Sequence, residues 1–284
     1  MDGVIIINKP KGITSNAVVQ RVRKALGTKQ VGHCGTLDPL ATGVLPILIG
    51  QGTKISKYLV EHDKTYIAIL KLGEKTDTAD SEGQVIQTKA IPNIDEKAII
   101  KILDNFIGNQ EQIPPMYSAI KVDGKKLYEY ARSGEEVELK PRQIEIKEIK
   151  LLDYDEKDGT IKFEVTCSKG TYIRTLCENI AEKSGTVGYM KELTRTRVND
   201  FNIEMAISLE ELETRKGNIP YISIEKIFRK SEEIELDNRK LELFLNGVIL
   251  TLKKKDGTYR IYSKNKFIGL GIIKNNLLKR DVII

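Results

Sequence analysis

Hydrophobic positions change their spacing several times along the chain, and each change predicts an element. The run Val4-Ile5-Ile6-Ile7 predicts a strand over residues 3–8, followed by the turn Lys9-Pro10-Lys11-Gly12. Val18, Val19, Val22 and Leu26 then recur at helical spacing, with Thr14 or Ser15 suited to cap the helix and Gly27 to stop it. Residues 32–43, rich in Gly, Thr and Pro, read as a loop before a strand over 44–49. A short helix over 53–60 and a strand over 65–72 follow. Residues 73–83 are polar and loop-like, and 95–106 have helical spacing. Pro114-Pro115 breaks the chain before a segment dense in Lys and Tyr that runs to residue 142. The clearest alternation sets Ile161, Phe163, Val165 and Cys167 against Lys162, Glu164, Thr166 and Ser168, which is a half-buried strand. After Lys169-Gly170, a helix carries Ile173, Leu176, Cys177, Ile180 and Ala181 on one face and ends at Gly185. Near the C-terminus, Asp256-Gly257, Lys264-Asn265 and Asn275-Asn276 punctuate short apolar runs and predict a small module of hairpins. Strands and helices mix without a regular βαβ rhythm, so the expected class is α+β, with a boundary in the charged stretch 229–235.

Composition narrows the function classes. The chain has 284 residues, 40% hydrophobic and 30% charged, as in ordinary globular proteins. Its longest apolar runs fall far short of the roughly 20 residues that span a bilayer. No leader pattern opens the chain, so secretion and membrane insertion are not expected. The three cysteines form no C-x-x-C pair and only two histidines are present, which argues against structural zinc and a disulfide framework and for a reducing, cytoplasmic setting. With no G-x-G-x-x-G and no P-loop, no nucleotide cofactor is expected. The net charge of +6 hides a pattern of +6 over residues 1–60, −6 over 61–228 and +6 over 229–284. Basic ends suit a phosphate-binding face, and solvated Lys-rich surfaces read equally well.

The most suggestive loop runs Gly32-His33-Cys34-Gly35-Thr36-Leu37-Asp38-Pro39-Leu40-Ala41-Thr42-Gly43. Asp38 precedes a proline, which biases it toward extended backbone, and apolar Leu37 and Leu40 flank it. A carboxylate held there suits a nucleophile or base, and it also suits a turn aspartate bonded to its own backbone. Arg174 falls in the first turn of its helix, where a cation opposes the helix dipole. A buried Asp38–Arg174 pair would explain both placements, and a solvated Arg174 is the plainer alternative. Tyr66 and Tyr172 begin a strand and a helix, where side chains line clefts or simply pack in the core. Cys34 beside His33 reads as a small packed cysteine, because neighbours on an extended chain face opposite ways.

Seven blocks, in one order, carry a resemblance to a known family. They are Asn8-Lys9-Pro10-Lys11-Gly12-Ile13-Thr14-Ser15; Gly32-His33 through Gly43; Lys64-Thr65-Tyr66 with Leu72-Gly73; and Thr76-Asp77-Thr78-Ala79-Asp80. After these come Pro114-Pro115-Met116-Tyr117-Ser118-Ala119-Ile120-Lys121, Tyr128-Glu129-Tyr130-Ala131-Arg132 and Ser168-Lys169-Gly170-Thr171-Tyr172-Ile173-Arg174-Thr175. On these blocks the chain resembles the bacterial tRNA pseudouridine-55 synthases, the TruB family.

The resemblance implies a catalytic domain over 1–230 on a mixed, largely antiparallel sheet with flanking helices. It implies an RNA-clamping insertion over about 114–142 and a β-rich, PUA-like RNA-binding domain over 231–284. It also implies cofactor-free and metal-free isomerisation of one uridine in the T loop of tRNA, the T-arm stem-loop being the partner, with no protein partner. By resemblance Asp38 is the catalytic carboxylate, Arg174 its partner and Tyr66 the platform under the uracil. Tyr172 contacts the base from the other side and Leu193 packs against it. His33 fills the stack beside the flipped nucleotide, Asp80 contacts the RNA loop, and Lys9 lies against the RNA backbone. Three other readings compete: a guide-RNA-dependent relative, an RNA-binding or tRNA-folding module with secondary catalysis, and a carboxylate hydrolase centred on Asp38. The last lacks a partner carboxylate, and the absence of basic extensions together with the insertion argues against the first.

Overall fold

The computed structural model describes residues 1–118, 120–135, 137–215 and 218–284; Ala119 and Glu136, within the expected insertion, and Lys216 and Gly217 lie outside them. The opening apolar run forms β1 (Gly3–Lys9), buried on both faces apart from Asn8. Helix α1 (Ser15–Leu26) begins where Thr14 accepts the Ala17 N–H and ends where Gly27 takes φ 61°. That left-handed residue lets its own N–H reach back to Arg23 and Lys24. Strands β2 (Val31–His33) and β3 (Thr42–Ile49) flank the Asp38 loop, and β4 (Lys64–Leu72) follows. Between β3 and β4 the expected helix is a 3-10 turn, Gly50–Ile55, that passes into one α turn, Ser56–Leu59.

Farther along lie α2 (Glu96–Asp104), capped by Asp95, β5 (Gly108–Gln112), β6 (Arg142–Asp155), β7 (Thr160–Cys167), α3 (Ile173–Lys183) and β8 (Gly188–Val198). With β9 (Ile222–Ser223) they build one large sheet in the order β9-β1-β3-β8-β4-β7-β6-β5. Every neighbour along this path is antiparallel except β3 and β8, which touch in parallel at Thr42–Thr194 and Gly43–Arg195. The fold is therefore the α+β class expected, with a mixed, largely antiparallel sheet. One sheet face packs against α1, α2 and α3 through Val18, Val22, Ile99, Leu176 and Ile180, all at 0% exposure.

Two expectations need correction. Residues 73–83 are not plain loop: Glu74–Thr76 pairs with Val85–Thr88, and Asp77 closes the ribbon by accepting the Gln84 N–H at 2.8 Å. Strands β6 and β8 gave no clean period in the sequence, because each contains two register shifts. A bulge moves the following side chains to the other face, so the alternation restarts mid-strand. At the C-terminus, strands Gly257–Ser263, Lys266–Lys274 and Leu277–Ile283 turn at Lys264-Asn265 and Asn275-Asn276. All four turn residues have φ between 50° and 61°, as tight hairpins require. Asp256-Gly257 makes no hairpin; Asp256 instead accepts the Asn275 N–H at 2.8 Å. These strands, with Glu233–Glu235 and Leu250–Thr251, form a five-stranded sheet. Leu270 and Val282 from this sheet pack with Ile55 and Leu59 of the larger unit. Among the described residues no helix is long and apolar enough to cross a membrane.

Candidate active site

The Asp38 loop is held at nearly every residue. Ser15 Oγ accepts the Leu37 N–H at 2.8 Å and donates to the Leu37 carbonyl at 2.9 Å. Gly12 N–H donates to Pro39 O at 2.8 Å. Lys9 Nζ donates to the carbonyls of Pro10, Ile13 and Pro39 at 2.8, 2.8 and 3.1 Å. From beneath, Arg195 donates to Gly35 O at 3.0 Å, Thr36 O at 3.3 Å and Val44 O at 2.8 Å. Gly43 must lack a side chain here: its φ is 99°, and a Cβ would lie 2.2 Å from the Arg195 carbonyl. With Leu37 and Leu40 buried, the Asp38 carboxylate is what the loop presents outward, its side chain 40% exposed.

Arg174, the second residue of α3, closes on that carboxylate with Nη2 to Oδ2 at 3.2 Å. Its other edge faces Asp80 at 3.7 Å, and it donates to Thr78 O at 3.2 Å and Tyr117 O at 2.7 Å. The guanidinium is thus buried with its donors answered, and its unfavourable helix position is offset by two carboxylates. The plainer alternatives, a turn aspartate and a solvated arginine, do not describe this pair.

Opposite lies a cleft of about 310 Å³ lined by Asp38, Tyr66, Tyr172, Arg174, Leu193 and Arg195 among others. Tyr66 comes from β4 directly across from Arg195 of β8, and Leu193 sits two residues earlier on β8, on the same face. Burial pushes the Tyr66 phenol up, with the Arg195 charge pulling the other way. Tyr172 stands at the N-cap position of α3. The Gln112 amide clasps its backbone, accepting its N–H at 2.8 Å and donating to its carbonyl at 3.0 Å. Burial raises the Tyr172 phenol too. Among the described residues no cluster of His, Cys, Asp and Glu is arranged to hold a metal ion.

Five of the eight residues expected in the site, Asp38, Arg174, Tyr66, Tyr172 and Leu193, therefore share one cleft. The other three are placed differently. Lys9 is 0% exposed. Burial lowers its pKa to about 8, and its three carbonyl acceptors use all three ammonium protons to pin the N-terminal turn to the Asp38 loop. Asp80 is 4% exposed, and its Oδ1 accepts from Thr78 Oγ1 at 2.7 Å and the Glu82 N–H at 3.1 Å. It holds Arg174 from behind. His33 stands outside the cleft lining, half-buried, and burial followed by the Arg195 charge lowers its pKa. Sequence reasoning missed Arg195 and Gln112. Arg195 lies in the bulged strand whose period was lost, and Gln112 just before Pro114-Pro115; only their neighbours in space show what they do.

Comparison with known proteins places the chain in a family. Residues 23–173 match the TruB family pseudouridylate synthase (N terminal domain), and residues 174–219 the tRNA pseudouridylate synthase B C-terminal domain. The tRNA pseudouridine synthase B of Clostridium kluyveri is 43% identical over 282 residues, covering 97% of this chain and 96% of its own length. That of Caldanaerobacter subterraneus is 41% identical, with 98% of each chain covered. Among solved structures, an H/ACA RNP bound to a substrate RNA containing 2′-deoxyuridine superposes with a TM-score of 0.71 at 23% identity, over 99% of this chain and 85% of that one. The last similarity concerns the fold alone. The chain belongs to the TruB family of pseudouridylate synthases.

Proposed function

We propose that this protein converts a uridine in the T loop of tRNA to pseudouridine, with Asp38 acting at the ribose. The observation that carries this reading is the Asp38–Arg174 pair facing Tyr66 across one cleft. A stacked loop base must first leave its stack, at a cost of a few kcal/mol. Tyr66 then stacks on the extruded uracil, worth roughly 1–3 kcal/mol, while Tyr172 closes on its other side and Leu193 packs against it. Arg174 holds the Asp38 carboxylate at 3.2 Å and aims it at the sugar. Whether Asp38 attacks C1′ or removes the C2′ proton, the C1′–N1 bonding pair leaves with the uracil. The ring turns, C5 bonds to C1′, C5 loses its proton and N1 gains one.

Residues 1–230 act in this reading as the catalytic domain and 231–284 as a PUA-like RNA-binding domain. The segment 114–142 folds against the T arm, a role supported by the hold of Arg174 on the Tyr117 carbonyl. A tRNA substrate makes the cytoplasm the place of action. Action on bare tRNA is favoured over a guide-RNA-dependent one, because relatives named for tRNA share 41–43% identity and the H/ACA protein 23%. The test is a T-arm hairpin tritiated at uracil C5. Wild-type protein releases the label without any guide. Asp38→Asn binds the hairpin normally and releases label on the order of 10³-fold more slowly, or not at all. Undiminished release by Asp38→Asn would refute the assignment.

A further inference from the structure

Arg195 is 1% exposed and among the largest fully buried side chains. Its partners are three backbone carbonyls and the Tyr66 hydroxyl, and among the described residues no carboxylate oxygen comes within 4.0 Å of it. A buried guanidinium without an anion is costly unless something else rewards the charge. Holding the loop does not require it, since neutral donors answer carbonyls as well. The position is also specific: Arg195 lines the cleft, stands across the sheet from Tyr66 and shares a strand face with Leu193. Its positive field reaches the surrounding groups, lowering the pKa of His33 and of Lys64 after burial has done so.

We propose that Arg195 supplies the positive potential that stabilises the uracil as it departs from the ribose, a role separate from that of Arg174, which serves Asp38. The inference rests on the function proposed above. When C1′–N1 breaks, both bonding electrons go to the ring, which becomes a monoanion spread over N1, O2 and O4. C1′ meanwhile gains an Asp38 oxygen or C2′ loses its proton to Asp38. Those electrons return when C5 bonds to C1′ and Asp38 is released or gives its proton back to C2′. Charge thus appears on the ring for part of the reaction and then vanishes, which is where a preorganised cation in a dry site accelerates a reaction. Arg195 acts by its field through the Tyr66 platform, so it is a positioning and electrostatic residue rather than one that touches the sugar.

The experiment uses two T-arm hairpins, with uridine or 5-fluorouridine at the target position. Loss of the parent nucleoside is followed in nuclease digests at single turnover. Fluorine withdraws density from the ring and makes its anion less basic, so cleavage depends less on outside charge. Arg195→Gln removes the charge and keeps a donor for the loop. It is expected to slow loss of uridine on the order of 10–100-fold and to slow loss of 5-fluorouridine several-fold less. Arg195→Lys, a displaced point charge, gives a smaller loss with the same dependence on fluorine, and carries the comparison should Arg195→Gln fail to fold. Equal slowing of both hairpins would overturn the proposal and leave Arg195 a loop clamp; so would wild-type rates in both variants. Wild-type protein that leaves both hairpins unchanged refutes the functional reading itself, and this inference falls with it.

Discussion

Two buried arginines stand on opposite sides of the cleft and have solved the burial of charge in opposite ways. On the α3 side, Arg174 is matched by Asp38 and Asp80, so that region is a balanced network in which each charge keeps another in place. On the β8 side, Arg195 meets backbone carbonyls and the Tyr66 hydroxyl, and among the described residues no carboxylate lies within 4.0 Å of it. Balance holds a carboxylate in place and aimed; imbalance is useful only toward charge that arrives during the reaction. Lys9 is a third buried cation fed by carbonyls alone, but it lies away from the cleft and acts as a staple.

The strongest way to break the comparison is to unbalance the balanced side. Arg174→Met leaves Asp80 buried without its cation, which is expected to lower stability by roughly 3–5 kcal/mol and to abolish turnover. Adding Asp80→Asn should recover most of the stability and none of the activity, as chemical denaturation and tritium release would show. Recovery of both would mean that Arg174 matters only for folding.

Lys9→Met tests the staple. It takes the Lys9 donor from the Pro10 and Ile13 carbonyls and leaves Pro39 O to Gly12 alone, for a loss on the order of 2–4 kcal/mol, while the salt dependence of RNA binding stays that of the wild type. A shallower salt slope would place Lys9 at the RNA after all. On the platform between the two arginines, Tyr66→Ala should weaken capture of the flipped base by about 1–3 kcal/mol and Tyr66→Phe by little. Binding and single-turnover rates of the two variants decide this, and equal small effects would remove Tyr66 from the base.

The smallest effect concerns His33, whose pKa lies below its ordinary 6.5 because of burial and Arg195. The unfolded chain binds a proton there that the folded protein refuses, so this contribution to stability is present above pH 6.5 and is lost as pH falls below it. With only two histidines in the chain, NMR titration of the imidazoles reads it directly. Arg195→Gln should move the His33 pKa upward toward 6.5, and no movement would show that the Arg195 field is screened.

Legibility followed locality. Helix α1 could be read to its caps, because Thr14 and Gly27 act within a few residues of the backbone they satisfy. The alternation of β7 and the hairpin turns at Lys264-Asn265 and Asn275-Asn276 were readable for the same reason. Asp38, Tyr66, Tyr172, Leu193 and Arg174 were recoverable because family resemblance preserves residues in motifs, although they lie far apart along the chain. Lys9 and Asp80 stand apart from these: both are charged and buried, and what a charge faces depends on what folds over it.

The sequence by itself therefore determined the elements whose hydrogen bonds close locally, the α+β class and the identity of the chemical groups at the cleft. Only the tertiary structure decided which side of the protein surface those groups face, and that Arg195 and Gln112 belong with them. The bulges in β6 and β8 erase the local period, and the partners of a buried charge come from strands and loops more than a hundred residues away, as Arg195 with Gly35, Thr36 and Val44 shows.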